Sequence, residues 1–441
     1  MAKKAKKLAE LSELLEGHVI DEFDKMEVSV LKDLVSEVDE ISDPRDTSYV
    51  RHKLSDIIII VLFAVMANAN DWQEIEEFGK KKEKWLRGFL SLEHGVPTDD
   101  TYRIVMSRLN INHIYRTITG FLVRKLSEIV TQLTVSVPVE NKEERELSSL
   151  DGKTSQGSKR NETSEEGIKA LHTLNAYSSE WGMCVDQEFI DEKSNEVPAA
   201  PILINRLNIA GSILTWDALN TQKETVKAVI KGKGDYVGAL KGNHENLYDD
   251  VRDYFDEETL DEIKNPRNQK EPNEKYKKTI DREHSAVITR EYYLETNIDW
   301  LYGREKWAGL NAIGLEVKKI EKDIKNAEPI YERRYFITSL ADIDEFSMAV
   351  RGHWGIENGL HWHLDYTFKD DNNTTTRDNG AKGLQIFKKT ALALLKIAQV
   401  IYPPRTSLKK IRYKLSLDYE REIERIFSAL SVENIREVLA K

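Results

Sequence analysis

The 441-residue chain has a single cysteine, Cys184, which excludes an internal disulfide framework and fits a reducing compartment. Cys184 lies in the strand-like run Gly182–Ile190, where packing is expected of it rather than nucleophilic chemistry. Long hydrophobic runs are scarce as well. Ile57–Met66 is the one extended apolar stretch, and it is too short to span a bilayer. The N-terminal run MAKKAKKLAELSELL carries lysines but no apolar core of the kind a secretory signal needs. There is no long low-complexity tract. These absences lead to the expectation of a soluble, cytoplasmic protein with no membrane partner. Positive charge is also in deficit: 65 Lys and Arg stand against 76 Asp and Glu, a net −11, which argues at first against a nucleic-acid partner.

The distribution of charge changes that argument. Residues 1–48 hold 7 basic and 13 acidic side chains, and residues 245–262 hold 1 and 9. Without those two segments the remainder carries +3, and residues 382–441 alone carry 13 basic against 6 acidic groups. The chain is long enough for two or three domains. Residues 1–48 are expected as an acidic helical extension, with Leu8, Leu11, Leu14 and Leu15, then Val30, Leu31, Leu34 and Val38, at helical spacing. Ser42–Asp46 follows as a turn or linker. Residues 49–135 are expected to be all-helical: His52–Met66 is apolar nearly all round and therefore central, Asp71–Phe89 is amphipathic, and Thr98 or Asp99 caps a further helix. A short helix–turn–helix there could read DNA ends, or the segment could be a packing module without base contacts.

From residue 145 the pattern alternates. Strands are expected at Leu147–Asp151, Leu171–Tyr177, Gly182–Ile190, Ser212–Asp217 and Asp235–Leu240, with helices at Val197–Leu207, led by Asn195 as N-cap, and at Thr221–Ile230. Residues 244–330 form an insertion with an acidic helical segment, a solvated loop around KNPRNQKEPNEKYKK, and strands near Ala286–Leu294 and Leu310–Lys318. A strand at Arg334–Leu340 precedes the stretch AVRGHWGIENGLHWHLD, and Gly380–Ile401 is a long helix ahead of a basic helical tail, 402–441. Two of these strands end in an aspartate, Asp151 and Asp217, and strand ends are where open α/β sheets present side chains to a cleft. Helical spacing in Ala349–Asp365 places His353, Glu357 and His361 on one stripe while Val350, Ile356, Leu360 and Leu364 face elsewhere. Alone, that helix fits a surface helix with aromatic rungs. The His353–Glu357–His361 stripe also admits a zinc reading, which leaves both strand-end aspartates unexplained and lacks a Cys or further His to complete it.

In combination, DGK at Asp151–Lys153, KSNEVPAAPILINRL, TWDAL, DYVGALKGNHENL, RRYFITSL and VRGHWGIENGLHWHLD resemble the DDE insertion-sequence transposases, and within them the H-repeat-associated group. The resemblance runs from about Ser48 to about Ala398. It implies an α/β, ribonuclease-H-like mixed sheet flanked by helices at 145–401, a separate helical transposase-associated domain at the N-terminus, and Asp151, Asp217 and Glu357 as the acidic triad. Where the wider class often has tyrosine, arginine and lysine around the glutamate, this chain has Val350, His353 and Leu364, a trait of the subgroup. In Arg282–Tyr292, Ala286 and Ile288 stand where Arg and Glu would be expected.

Converging carboxylates repel: two unit charges ~4 Å apart at an effective dielectric of ~20 interact by about 4 kcal/mol. Such a site protonates or binds hard cations, so Mg²⁺ or Mn²⁺, two ions, is the expected cofactor, held by the same three residues. The expected reaction is cleavage of DNA strands and transfer to a 3′-hydroxyl, on the terminal inverted repeats and target DNA, by a homodimer at the nucleoid. Lys153, Lys241 and Arg351 are candidate phosphate contacts, Trp354 a base-stacking one, and Asn243, His353 and His361 complete the DNA-binding set. The competing expectations are a catalytically silent DNA-binding regulator or a ribonuclease-H-like nuclease.

Overall fold

The computed structural model describes residues 5–46, 48, 50–133, 145–159, 170–190, 196–266, 273–283, 286–322, 328–372 and 379–440. In chain order the helices are α1 (Lys6–Leu14), α2 (Ser29–Asp39), α3 (Leu54–Met66), α4 (Trp72–Leu86), α5 (Asp99–Arg108), α6 (Ile111–Leu133), α7 (Glu196–Arg206), α8 (Lys223–Lys231), α9 (Glu245–Tyr254), α10 (Glu257–Lys264), α11 (Ile343–Gly352), α12 (Trp354–Ile356), α13 (Trp362–Tyr366), α14 (Gly380–Ile401), α15 (Leu408–Leu417), α16 (Tyr419–Ser428) and α17 (Val432–Leu439). The strands are β1 (Leu147–Ser155), β2 (Leu171–Ser178), β3 (Met183–Ile190), β4 (Ile213–Trp216), β5 (Asp235–Leu240), β6 (Tyr276–Glu283), β7 (Ala286–Glu295), β8 (Ala312–Lys322) and β9 (Ile330–Thr338). They form a nine-stranded mixed sheet in the order β3-β2-β1-β4-β5-β9-β8-β7-β6. With its flanking helices and helical N-terminal region, this is the ribonuclease-H-like α/β architecture.

Contacts group the described residues into two units, one of 145–152 and 196–356, the other of 5–133, 153–190 and 357–440. In the first, β1, β4 and β5 are parallel neighbours, and β5 then pairs antiparallel with β9. The β-branched and apolar residues Ile213, Leu214 and Thr215 suit a strand buried on both faces, and all of β4 is buried. One face is covered by α11, whose Phe346, Ala349 and Val350 pack with Leu147, Ile213, Val237 and Phe336. Gly352, at the end of α11, lies so close to Leu147 that a β-carbon there would overlap its side chain. The segment expected as an insertion extends the sheet: beyond β9, its strands β8, β7 and β6 run antiparallel to an edge.

In the second unit α3 is buried along its whole length, as its all-round apolarity predicts. It packs against α14, α2 and α4, and α14 also meets α6, α5 and β3. Cys184 is buried beside this helical body, where the Tyr115 hydroxyl donates to its carbonyl at 2.6 Å.

Several boundaries coincide with expectation, β5 and α14 among them. Others differ for identifiable reasons. Residues 5–39 form two helices rather than one, broken by Gly17 at φ +89 and a 3-10 turn at Ile20–Phe23. Arg282–Tyr292 is divided between two strands, because β6 begins inside the lysine-rich stretch expected as solvated loop, at Tyr276. The stretch through Glu357 is no continuous α-helix: α12 is followed by a π-turn at Glu357–His361 and then α13. The expected N-cap Asn195 and part of the 264–278 loop lie outside the described residues.

Candidate active site

Asp151 lies on β1 and Asp217 directly follows its parallel neighbour β4; Asp151 was expected to close its strand, but β1 runs on to Ser155 and places it mid-strand. The β1–β4 register pairs Ser149 with Thr215 and Leu150 with Trp216, so the two aspartates follow at matching positions. Because side chains alternate along a strand, Ser149 and Asp151 share a face with Thr215 and Asp217. The Thr215 hydroxyl lies 3.1 Å from the Ser149 hydroxyl and 3.0 Å from His353 Nδ1, which brings the residue after α11 to that same face. Both aspartates are half-buried. Asp151 accepts from the Gly152 amide at 2.9 Å. Burial raises the Asp217 carboxyl above the usual carboxylate range, opposed by the Asn220 amide and Lys241 and reinforced by Glu196. The Asn220 side chain links the two acids, donating to Glu196 at 2.8 Å and to Asp217 at 3.4 Å.

Besides His353, four of the expected DNA-contacting residues lie in this unit. Lys241 and Asn243 are exposed just past β5, and Asn243 donates to the Ala218 carbonyl at 2.7 Å, tying this loop to the one that carries Asp217. Arg351 is exposed and ion-paired with Asp281. Trp354 is 41% exposed, with the Arg334 guanidinium 4.6 Å and the Lys318 ammonium 5.9 Å from its ring centre.

Glu357, Lys153 and His361 belong to the second unit. Glu357 opens the π-turn, and its side chain is 51% exposed. His361 Nδ1 lies 3.1 Å from its carboxylate, and this hydrogen bond is the main influence holding Glu357 below the usual carboxylate range, with Lys153 assisting. The other ring nitrogen of buried His361 lies 3.4 Å from the Asn175 amide on β2. Lys153 is buried, and its ammonium is 2.5 Å from Asp365.

Reasoning from sequence did not single out Asn175, Glu196, Asn220 or Asp365. Asn220 had one available signal, its position three residues after a strand-end aspartate, where Asx-type turns form. The polar partners of His361 and Lys153 come from distant segments and have no local pattern. The donor chemistry of the three expected acids suits a divalent ion: carboxylate oxygens are hard ligands, and Glu357 is held in its charged form. A zinc site using His361 would have to displace ring contacts already made to Glu357 and Asn175.

A ribonuclease-H-like sheet with aspartates at matching positions of neighbouring parallel strands defines a class of metal-dependent enzymes that act on phosphodiesters of nucleic acids. Within it, the chain belongs to the DDE transposase family: residues 141–394 match the family described as Transposase DDE domain, and residues 35–122 the one described as DDE_Tnp_1-associated. It is 30% identical over 393 residues to the Escherichia coli O157:H7 protein named "Putative transposase YncI", covering 88% of this chain and 93% of that one. It is 29% identical over 396 residues to "H repeat-associated putative transposase YhhI" of Escherichia coli K12, covering 88% and 96%. A solved structure, the cryo-EM piggyBac transposase synaptic complex with hairpin DNA, aligns at a TM-score of 0.34 and 11% identity over 96% of this chain and 81% of that one, too distant to carry an argument. The protein is thus an insertion-sequence transposase, a metal-dependent enzyme whose partner is DNA. No helix among the described residues is long and apolar enough to cross a membrane.

Proposed function

We propose that this chain binds the terminal inverted repeats of its own insertion sequence as a homodimer at the nucleoid, cuts the strands there, and joins the freed 3′-hydroxyl to target DNA. Asp151, Asp217 and Glu357 are the residues that would hold two Mg²⁺ or Mn²⁺ ions. The observation that carries the reading is the matched placement of Asp151 and Asp217 on one face of adjacent parallel strands. Glu357 follows His353, which is bonded to that face through Thr215, by four residues of chain.

Bound divalent ions supply activation of the attacking oxygen and neutralisation of the leaving one in an in-line displacement. The chain's own groups perform the rest. His361 keeps Glu357 ionised and oriented, and Asn220 holds Asp217. The loop tie from Asn243 to Ala218 sets Lys241 beside the acids, where its charge can meet a scissile phosphate. Arg351 and His353 precede Trp354 on the chain and are the further phosphate contacts, and Trp354, braced by Arg334, offers a ring to a base. Lys153 acts from its buried pair with Asp365, setting the local field rather than reaching far into solvent. The helical segment 49–135 and the basic helical tail 402–441 are assigned to recognition of DNA ends and to backbone contact.

Asp217→Asn tests the reading. The amide preserves size and hydrogen bonding, so folding survives, but it removes a charge and replaces an oxygen ligand with a poor one. Beside the wild type on its own terminal repeats, the variant is expected to bind at least as tightly and to lose both nicking and joining in Mg²⁺. Full retention of cleavage would remove Asp217 from the mechanism. Absence of Mg²⁺-dependent cleavage in the wild type would favour the silent regulator.

A further inference from the structure

One exposed aromatic cluster in the helical unit has no part in the chemistry above. Trp362 and Tyr366, one turn apart on α13, stack with ring centres 4.6 Å apart and planes at 17°. Both stay accessible, at 49% and 54%. Helix α15 lies alongside: the Arg412 guanidinium sits 4.2 Å from the Phe368 ring centre and donates to the Thr367 carbonyl at 2.5 Å. One turn earlier on α15, the Lys409 ammonium stands 5.4 Å from the centre of the Tyr366 ring. Lys410 is exposed next to it, as is Tyr413 one turn further along.

Large rings held parallel at a surface contribute little to a core, yet they form a flat face on which another π-system can stack. A nucleobase is such a system, and base–aromatic stacking tolerates any sequence. The lysines beside the rings match a polyanion, whereas a hydrophobic protein surface would have to desolvate them. In duplex DNA the base faces are hidden in the stack, so the ligand must present an unpaired base.

We propose that Trp362 and Tyr366 form a stacking platform for an unpaired nucleobase of single-stranded DNA, with Lys409 and Lys410 meeting its phosphates. The proposal rests on the transposase reading for its ligand and is independent of the acidic triad.

The test uses the full chain and two fluorescent probes of equal length, an oligothymidylate of about twelve nucleotides and an abasic strand, within the range of site sizes such grooves accommodate. Anisotropy titrations should show that the wild type prefers the base-bearing strand. Trp362→Ala and Tyr366→Ala are expected to weaken oligothymidylate binding about ten-fold with little change on the abasic strand, and Trp362→Phe to restore most of the loss. Lys409→Gln should weaken both probes alike and reduce the salt slope by about 0.7. No preference in the wild type, equal losses on both probes, or wild-type affinity in both alanine variants (the result if the rings instead dock a protein) would each overturn the proposal. Failure of the active-site reading shows elsewhere, as cleavage retained by Asp217→Asn on terminal-repeat duplex.

Discussion

Lys153 lies two residues past Asp151, and its sequence context suggests a cation reaching for phosphate. Its ammonium is buried against Asp365, with Asp371 at 4.0 Å as a second acid. A buried ammonium needs a counter-charge, and removing one partner leaves the other uncompensated. Asp365→Asn should therefore lower stability by about 2 kcal/mol, less than for a fully buried pair because the Asp365 side chain is 40% exposed and Asp371 compensates in part. Replacing Lys153 by Met in the same background should recover some of that loss. Urea titrations of the single and double variants measure it, and an Asp365→Asn midpoint equal to the wild type would show that the pair contributes nothing. Asp217 was legible because it closes a strand rich in β-branched residues, whereas Asp151 was read as a strand end and β1 instead continues through it to Ser155. Asp365 was not legible, since nothing local to it signals a partner 212 residues away.

At the scale of elements, periodicity located most strands and helices but could not foresee how the glutamate segment is wound. Helical spacing correctly buried Val350, Ile356, Leu360 and Leu364. It did not announce the π-turn, which arises where packing wins over local geometry. Gly359 sits within that turn against Tyr177, whose ring carbon would lie 2.7 Å from an added β-carbon. Gly359→Ala should lower stability by about 1–3 kcal/mol through overpacking. Thermal melting checks this, and an unshifted midpoint would show that the turn accommodates a side chain.

Helix α14 poses a second case. Its lysines turn inward: buried Lys389 bonds Gln187 and Asn175, and half-buried Lys396 donates to the Gly182 carbonyl at 2.6 Å. Burial pushes the Lys396 ammonium down to about 7 from 10.5. Between those values the unfolded chain holds a proton that the folded chain does not, so stability rises with pH across the window and is level below it. The slope is at most about 1.4 kcal/mol per pH unit. Lys396→Met should reduce this rise in denaturation midpoints measured from about pH 7 to about pH 10, leaving the part due to Lys389, which burial lowers to about 8. Parallel pH profiles for variant and wild type would contradict the assignment.

For the whole molecule, the contact units interleave along the chain, whereas the domains expected from sequence follow one another. Composition reveals shifts of charge but not which segments return to pack together. The C-terminal region shows the consequence. Residues 382–441 carry 13 basic and 6 acidic groups, which suggests a DNA-binding tail. Helices α15–α17 nevertheless bury Ile411, Leu415, Ile423, Ile426, Phe427, Ile435 and Val438. Several of the basic groups are engaged internally, among them Lys388, Lys389 and Lys396 on α14, Arg412, buried against the Val65 carbonyl at 2.9 Å, and Arg425, paired with Asp24 and Glu422. Truncation after Pro403 should therefore disrupt the helical unit, visible as lost cooperativity in melting, and cannot isolate a charge effect. The exposed groups Arg405, Lys409 and Lys410 can be neutralised without touching that core. Replacing all three with Gln should leave the melting midpoint near the wild-type value. If all three meet phosphates of duplex DNA, the slope of log affinity against log salt should shrink by about 2.7, because each contact released about 0.9 of a counterion. A smaller decrease counts the phosphates actually met, and an unchanged slope would mean that DNA approaches another face.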